Sequence, residues 1–371
     1  MGPSSSSPSS GSSPGASPER PAGPPGRDVS SLRRARVRWL VAALRGARAY
    51  HCRRCRARSI AGAAPAGQPV PNLFFAAVHY LLLAGPSDRL AEFYPTLTAT
   101  PRPPDEAFPS FRAFCLDRRP AIERLLRTGR VQTNEVGRCA YLYPAFALVA
   151  EWSRRPLVII ELGASAGLNL MWDQYRYEYE GDASCGPSDA TVVIRSAFRG
   201  DRRPRLPERA PAVVGRVGVD LVPIDVRDED QTSWLRALVW PEHRERAALL
   251  ASALALAQRT PPRVVRGDAL ACLPDLLREA RRDAAVCVTH THTLNQMTEG
   301  RRAALTAVLS ESSRDLPLYR LSAEWLTGIH PLVELTSWAG ANVTTRRLAF
   351  SDPHGRWIEW LGDRTAARPF E

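Results

Sequence analysis

Leu157-Val-Ile-Ile-Glu161-Leu-Gly163-Ala-Ser165-Ala-Gly167-Leu-Asn169-Leu170 is the stretch on which the fold turns. Its first half is an unbroken apolar run of strand length, the pattern of a strand covered on both faces. Two glycines spaced four apart follow, and the spacing predicts a tight turn into a helix that begins near Ala166. Gly163 would let the backbone turn and approach a ligand, and Gly167 would let helix and strand pack closely. A helix opening there would present free N–H groups. Phosphate-binding turns match poorly, because no Lys follows and E-x-G-x-x-x-G is not G-x-G-x-x-G.

Beyond this stretch the texture alternates. Short apolar runs at 217–222, 264–266, 285–289, 318–321, 332–338 and 343–350 are separated by helical patterns at 231–258, 269–282 and 299–312. Strands alternating with helices predict crossover units and a mostly parallel sheet. The last two runs, joined by a short turn over 339–342, predict an antiparallel hairpin at the sheet edge. Asp220, at the end of the second run, lies 57 residues after Gly163. A simple βαβ unit gives about 20, so an insertion over about 172–216 is expected.

Upstream, helices are expected over 72–84, 87–93, 108–127 and 135–153, separated by proline-rich turns. Nine Ser, seven Pro and five Gly in residues 1–29 predict a disordered tail. In 30–65, Val37, Leu40, Val41 and Leu44 recur at helical spacing among arginines, a basic amphipathic segment. The chain thus divides into a tail (1–29), a basic segment (30–65), a helical N-terminal region (66–155), an α/β domain (156–362) and a short tail (363–371).

Charge placement limits the partners. Of the net +12, residues 1–58 carry +10, which leaves +2 for the remainder. Nucleic-acid binding is therefore not expected outside the basic N-terminal segment. Seven scattered cysteines argue against a disulfide framework and for a reducing, cytoplasmic setting. The apolar run 72–85 is too short to span a bilayer. His51-Cys52-x-x-Cys55 lacks a second ligand pair at finger-like spacing, so no metal is expected.

With an acidic residue two before the first glycine, the 157–170 stretch resembles the first motif of class I S-adenosylmethionine-dependent methyltransferases. That resemblance implies a Rossmann-like α/β fold with S-adenosylmethionine as cofactor. Glu161 would bind its ammonium, directly or through water, and Gly163, Ala164, Ser165, Gly167 and Asn169 would shape the seat. Asp220 would take the ribose hydroxyls, with Asp225 as competitor. Asp268 and Ala269 would take the adenine, although Asp268 serves equally as the N-cap of the helix that follows.

The segments Gly67-Gln-Pro-Val-Pro-Asn-Leu73, Val131-Gln-Thr-Asn-Glu-Val-Gly-Arg138, Glu161–Leu170 with Trp172-Asp-Gln-Tyr-Arg-Tyr177, Gly218–Asp225, Arg266–Ala269 and Asp352-Pro-His-Gly-Arg-Trp357 are similar to the DUF2332 family of bacterial proteins. The resemblance spans about 66–362 and implies a methyltransferase-like fold.

Asn134, Glu135 and Arg138 precede an apolar helix. If they lie over the carboxyl edge of the sheet, they would lid the site and contact substrate or a cofactor carboxylate; capping and a surface ion pair is the other reading. Trp172 and Asp173 are candidates for substrate contact, with aromatic packing as the competing reading. His290 and His292 leave the fourth strand where a base would remove a proton from a methyl acceptor; the alternative is two hydrogen-bonded rings at a strand end. The expected activity is methyl transfer to a small molecule, and the alternative is a non-catalytic binding or regulatory protein of the same fold.

Overall fold

The computed structural model describes residues 68–362 apart from Thr327, Gly340 and Ala341. The expected N-terminal tail, the basic segment with His51, Cys52 and Cys55, and the C-terminal tail lie outside the described residues.

β1 (Leu157–Leu162) is buried along its whole length, because it is hydrogen-bonded on both sides and covered on both faces. It pairs in parallel with β5 (Val213–Asp220) and with β7 (Ala285–Thr291). β6 (Val264–Arg266) extends the parallel sheet beyond β5, and β8 (Leu318–Glu324) beyond β7. The strand order β6-β5-β1-β7-β8 therefore reverses beside β1, which opens a crevice at the carboxyl ends of β1 and β7.

Helices cover both faces. On one, α4 (Cys139–Ser153) and α6 (Arg244–Arg259) pack over Leu157, Ile159 and Cys287. On the other, α7 (Ala269–Glu279) and α8 (Glu299–Ser312) pack over Val158, Ile160 and Val288. A third core joins α1 (Val70–Ala84), α2 (Phe108–Asp117) and α3 (Arg119–Thr128), against which Trp234 of α5 (Glu229–Ala237) packs. The upstream helices thus separate: α1 to α3 form their own cluster, whereas α4 belongs to the sheet. The expected helix over 108–127 breaks at Arg118, before Pro120, and that over 231–258 breaks before Pro241.

Two expectations are corrected. The hairpin of β9 (Leu332–Ala339) and β10 (Asn342–Ser351) is antiparallel but not at the edge. β11 (Trp357–Trp360) pairs with β10, and β4 (Val193–Arg199), β2 (Arg176–Glu180) and β3 (Ser184–Cys185) continue an eleven-stranded sheet. The insertion after β1 supplies β2 to β4. Secondly, the segment after Gly167 is a seven-residue 3₁₀ helix, Leu168–Gln174, rather than an α-helix. Tyr175, Tyr177 and Tyr179 hold it and α4 in place, donating from their hydroxyls to the carbonyls of Leu168, Trp172 and Ala140.

Candidate functional site

Alternation along β1 sends Ile159 and Glu161 to the α4 face and Ile160 and Leu162 to the α7 face. Glu161 is therefore sealed beneath the first turn. Its Oε1 accepts a bond from Asn169 Nδ2 at 3.0 Å, while Oε2 has no hydrogen-bond partner among the described residues. Burial pushes its carboxyl up to about 8, against the opposing pull of the Asn169 bond and the Arg138 charge.

The turn is built on left-handed backbone. Gly163 and Gly167 have φ of +74° and +73°, and Ser165 reaches +57°. A Cβ on Gly163 would stand 2.5 Å from Thr293 Oγ1, and one on Gly167 would stand 2.7 Å from Pro262. Only glycine fits at either place. Five of the N–H groups over 163–168 are satisfied within the chain. Gly163 and Ala164 donate to Val219 O, Ser165 to Asp220 Oδ2 at 2.8 Å, Gly167 to Ala164 O and Leu168 to Asn134 Oδ1.

A cleft of about 410 Å³ opens above the turn, within the size range of small-molecule sites. Its floor is Gly163, Ser165 and Asn169 after β1, Asp220 to Val222 after β5, Gly267 to Ala269 after β6, and Thr291 to Thr293 after β7. Its cover comes from the N-terminal region, through Gln68, residues 130–134 and Arg138. The segment carrying Asn134 and Arg138 thus does lie over the carboxyl edge. A larger groove of about 1090 Å³ runs between α4, residues 203–211 and β10, remote from the strand ends. It is the larger of the two, but chemistry in open α/β sheets collects at the carboxyl edge.

The remaining candidates separate into those at the cleft and those beside it. Asp220 accepts Val222 N at 2.9 Å and Gln132 Nε2 at 3.2 Å on Oδ1, so only Oδ2, with the single Ser165 bond, keeps spare capacity. Asp225 does not line the cleft; it accepts the Arg227 N–H in an exposed turn. Asp268 lines the cleft while capping α7 through Leu270 N and Ala271 N and pairing with Arg301. Ala164 is buried against Gly218, where a Cβ would stand 2.5 Å from its methyl, and lies below the cleft floor.

His292 lines the cleft with φ of +55°, and its buried Nε2 has no partner among the described residues. Burial first, and then the nearby Arg138 charge, lower its pKa to about 4, so the ring is neutral at physiological pH. His290 does not reach the cleft. It is fully buried on the opposite face of β7, with Nδ1 2.7 Å from Glu324 Oε1. That same oxygen accepts the Thr293 N–H and so fixes the turn that carries His292.

Glu135 also faces away from the cleft. Burial would raise its carboxyl, but the His354 hydrogen bond and the Arg246 charge outweigh it and hold the group down at about 2. This ion-paired cluster anchors the covering segment from below. Trp172 and Asp173 are corrected as well, because the 3₁₀ helix turns both away from the cleft. Trp172 packs on Tyr143 and Phe146, and Asp173 clasps Arg216 with two bonds of 2.6 and 2.8 Å. Asp173→Ala is expected to lower stability by about 1–2 kcal/mol and to leave ligand affinity unchanged. Denaturant titration beside calorimetry checks this, and a loss of affinity would return Asp173 to the site.

Arg246, His354 and Glu324 carry no signal in the sequence, since their partners lie 111, 219 and 34 positions away. Among the described residues no cluster of three His, Cys, Asp or Glu could hold a metal ion, and no helix is long and apolar enough to cross a membrane. A family model described as an uncharacterized protein conserved in bacteria, DUF2332, matches residues 32–360. No curated protein matches the chain.

Proposed function

The chain therefore belongs to the DUF2332 family, and we propose that it is an S-adenosylmethionine-dependent methyltransferase acting on a small molecule. The observation that carries this reading is Glu161, a carboxyl group sealed below the cleft floor where the strand order reverses, with one oxygen unpartnered among the described residues. Burial keeps it protonated near neutral pH, and the charge of a ligand ammonium in the cleft above would favour release of that proton. Five of the turn's amides are already committed, which leaves little of a cradle for a pyrophosphate, whereas a cationic nucleoside needs none. The order β6-β5-β1-β7-β8 also corresponds to the 3-2-1-4-5 part of the doubly wound nucleotide-binding order.

When bound, the cofactor supplies an electrophilic methyl group. The chain's own contribution is alignment. Glu161 lies below the cleft floor and acts through Asn169, which lines the cleft at the amino-acid end, and Gly163 gives close access beside Thr293. Asp220 offers Oδ2 to the ribose, and Asp268 with Ala269 borders the adenine. His292, neutral and with Nε2 unpartnered, receives the proton released by the acceptor. The low basicity of His292 favours one second reading, a binding or regulatory protein of the same fold, which predicts cofactor binding without turnover.

Isothermal titration of the full chain with S-adenosylmethionine tests the reading. Micromolar binding is expected, abolished by Gly163→Arg, whose side chain would have to pass through Thr293. No binding at high micromolar ligand, or equal binding by the variant, would defeat it.

A further inference from the structure

Arg138 differs in its partners from Arg246 and Arg301. Its Nε donates to Pro353 O at 3.2 Å, and its Nη1 donates to the carbonyl and hydroxyl of Thr291 at 3.3 and 3.2 Å. All three acceptors are uncharged, and among the described residues Arg138 makes no ion pair. Arg246, by contrast, pairs with Glu135, and Arg301 with Asp268. The backbone beneath Arg138 is fixed. Gly137 and Gly355 meet so closely that a Cβ on either would fall on a carbonyl oxygen of the opposing segment, Gly355 having φ of +74°. A guanidinium held by neutral oxygens on a rigid backbone, half-buried and facing a cleft, keeps donors and charge for an incoming anion.

We infer that Arg138 is the receptor for a ligand carboxylate, which makes the helical N-terminal region a part of the recognition site and not only its cover. The inference rests on the methyltransferase reading. Two sources share the chemistry. Arg138 bonds Thr291, the neighbour of His292, and lines the same cleft as Asn169, so it borders both the proposed amino-acid end and the acceptor side. The carboxylate belongs either to the cofactor's methionyl group or to the methyl acceptor. Phosphate is the weaker fit, since most amides of the neighbouring turn are already bonded within the chain.

The test compares wild type with Arg138→Gln and Arg138→Lys, using the full chain. Calorimetry with S-adenosylmethionine and with its decarboxylated form, which keeps the ammonium, reads the cofactor arm. Methylation and binding of a small aromatic carboxylic acid, salicylate, against salicylamide reads the acceptor arm. A charge-assisted pair predicts a preference for the carboxylate of about 10- to 100-fold in one arm. Arg138→Gln should erase that preference, and Arg138→Lys, which keeps the charge without the planar fork, should restore part of it. If wild type shows no preference in either arm, or if both variants keep it, the inference is overturned. A failure of both adenosyl ligands to bind would instead sink the methyltransferase reading, and salicylate binding would still judge Arg138.

Discussion

Glu161→Gln is expected to make the ligand-free protein more stable at pH 8 while weakening binding of an ammonium-bearing nucleoside by about 100-fold. Burial is the leading cause of the raised carboxyl, at about 8 against an ordinary value near 4.5. The folded state therefore keeps a proton that the unfolded chain releases. Stability is full below about pH 4.5 and falls by about 1.4 kcal/mol per pH unit until about 8. Above that it is level, because both states are then ionised. A Gln has no such slope and retains the acceptor for Asn169, so its advantage should grow from about 1 kcal/mol at pH 5 to about 4 kcal/mol at pH 8. Denaturant titrations at the two pH values measure it. An advantage that does not change with pH would mean that Glu161 is not the buried proton holder.

The same proton links to the ligand. An incoming ammonium stabilises the ionised carboxylate, so binding at pH 7 should release about one proton. Calorimetry in two buffers of different ionisation enthalpy counts it, and the count should fall to about zero in Glu161→Gln.

The second large effect is expected at Gly355. Alanine there must occupy φ of +74° and place its methyl on the carbonyl of Gly137, a backbone atom with nowhere to go. The loss should be about 3 kcal/mol or more, and ligand affinity should fall with it, because Arg138 is held by the neighbouring Pro353 carbonyl. Gly181 and Gly200 serve as controls. Their φ values are +73° and +70°, but nothing lies within 4 Å of an added methyl. Alanine at either should cost only about 1–2 kcal/mol, the intrinsic penalty of left-handed backbone. Equal losses at all three positions, read from denaturation midpoints, would show that the contact between the covering segment and the 352–357 loop contributes nothing.

Local signals in the sequence carried the centre of the fold and little of its periphery. The unbroken apolar run ending in Glu161-Leu-Gly163 identifies a doubly covered strand and the turn above it, since covered strands and positive φ restrict residue choice strongly. The alternation that follows is enough for a parallel sheet. The 3₁₀ helix was not legible, because Leu168 to Leu170 read equally well as a first α-helical turn. What makes the difference is packing that sequence order does not show: Tyr175 and Tyr177, seven and five residues further on, donate to the carbonyls of Leu168 and Trp172. The interior position of the β9–β10 hairpin was hidden for a similar reason, since β11 is only four residues long and pairs with a strand some 160 positions earlier in the chain.

Among site residues, Glu161 and Gly163 are spaced as the turn requires and could be read directly, whereas Asp220 and Asn134, 57 residues after and 29 before Gly163, come to the cleft only through the fold. Trp172 and Asp173 misled, because an aromatic and an acid beside a glycine turn look alike whether they face a ligand or the core.

The placement of β11 also bears on how the molecule is made. Residues 176–199 join the sheet only through the pairing of Ala197–Arg199 with Trp357–Glu359, so during translation they must wait, with the β4 edge unpaired, until almost the whole polypeptide has left the ribosome. A message cut short a few codons before Trp357 would leave those strands with an open flank, a ready template for pairing between nascent chains.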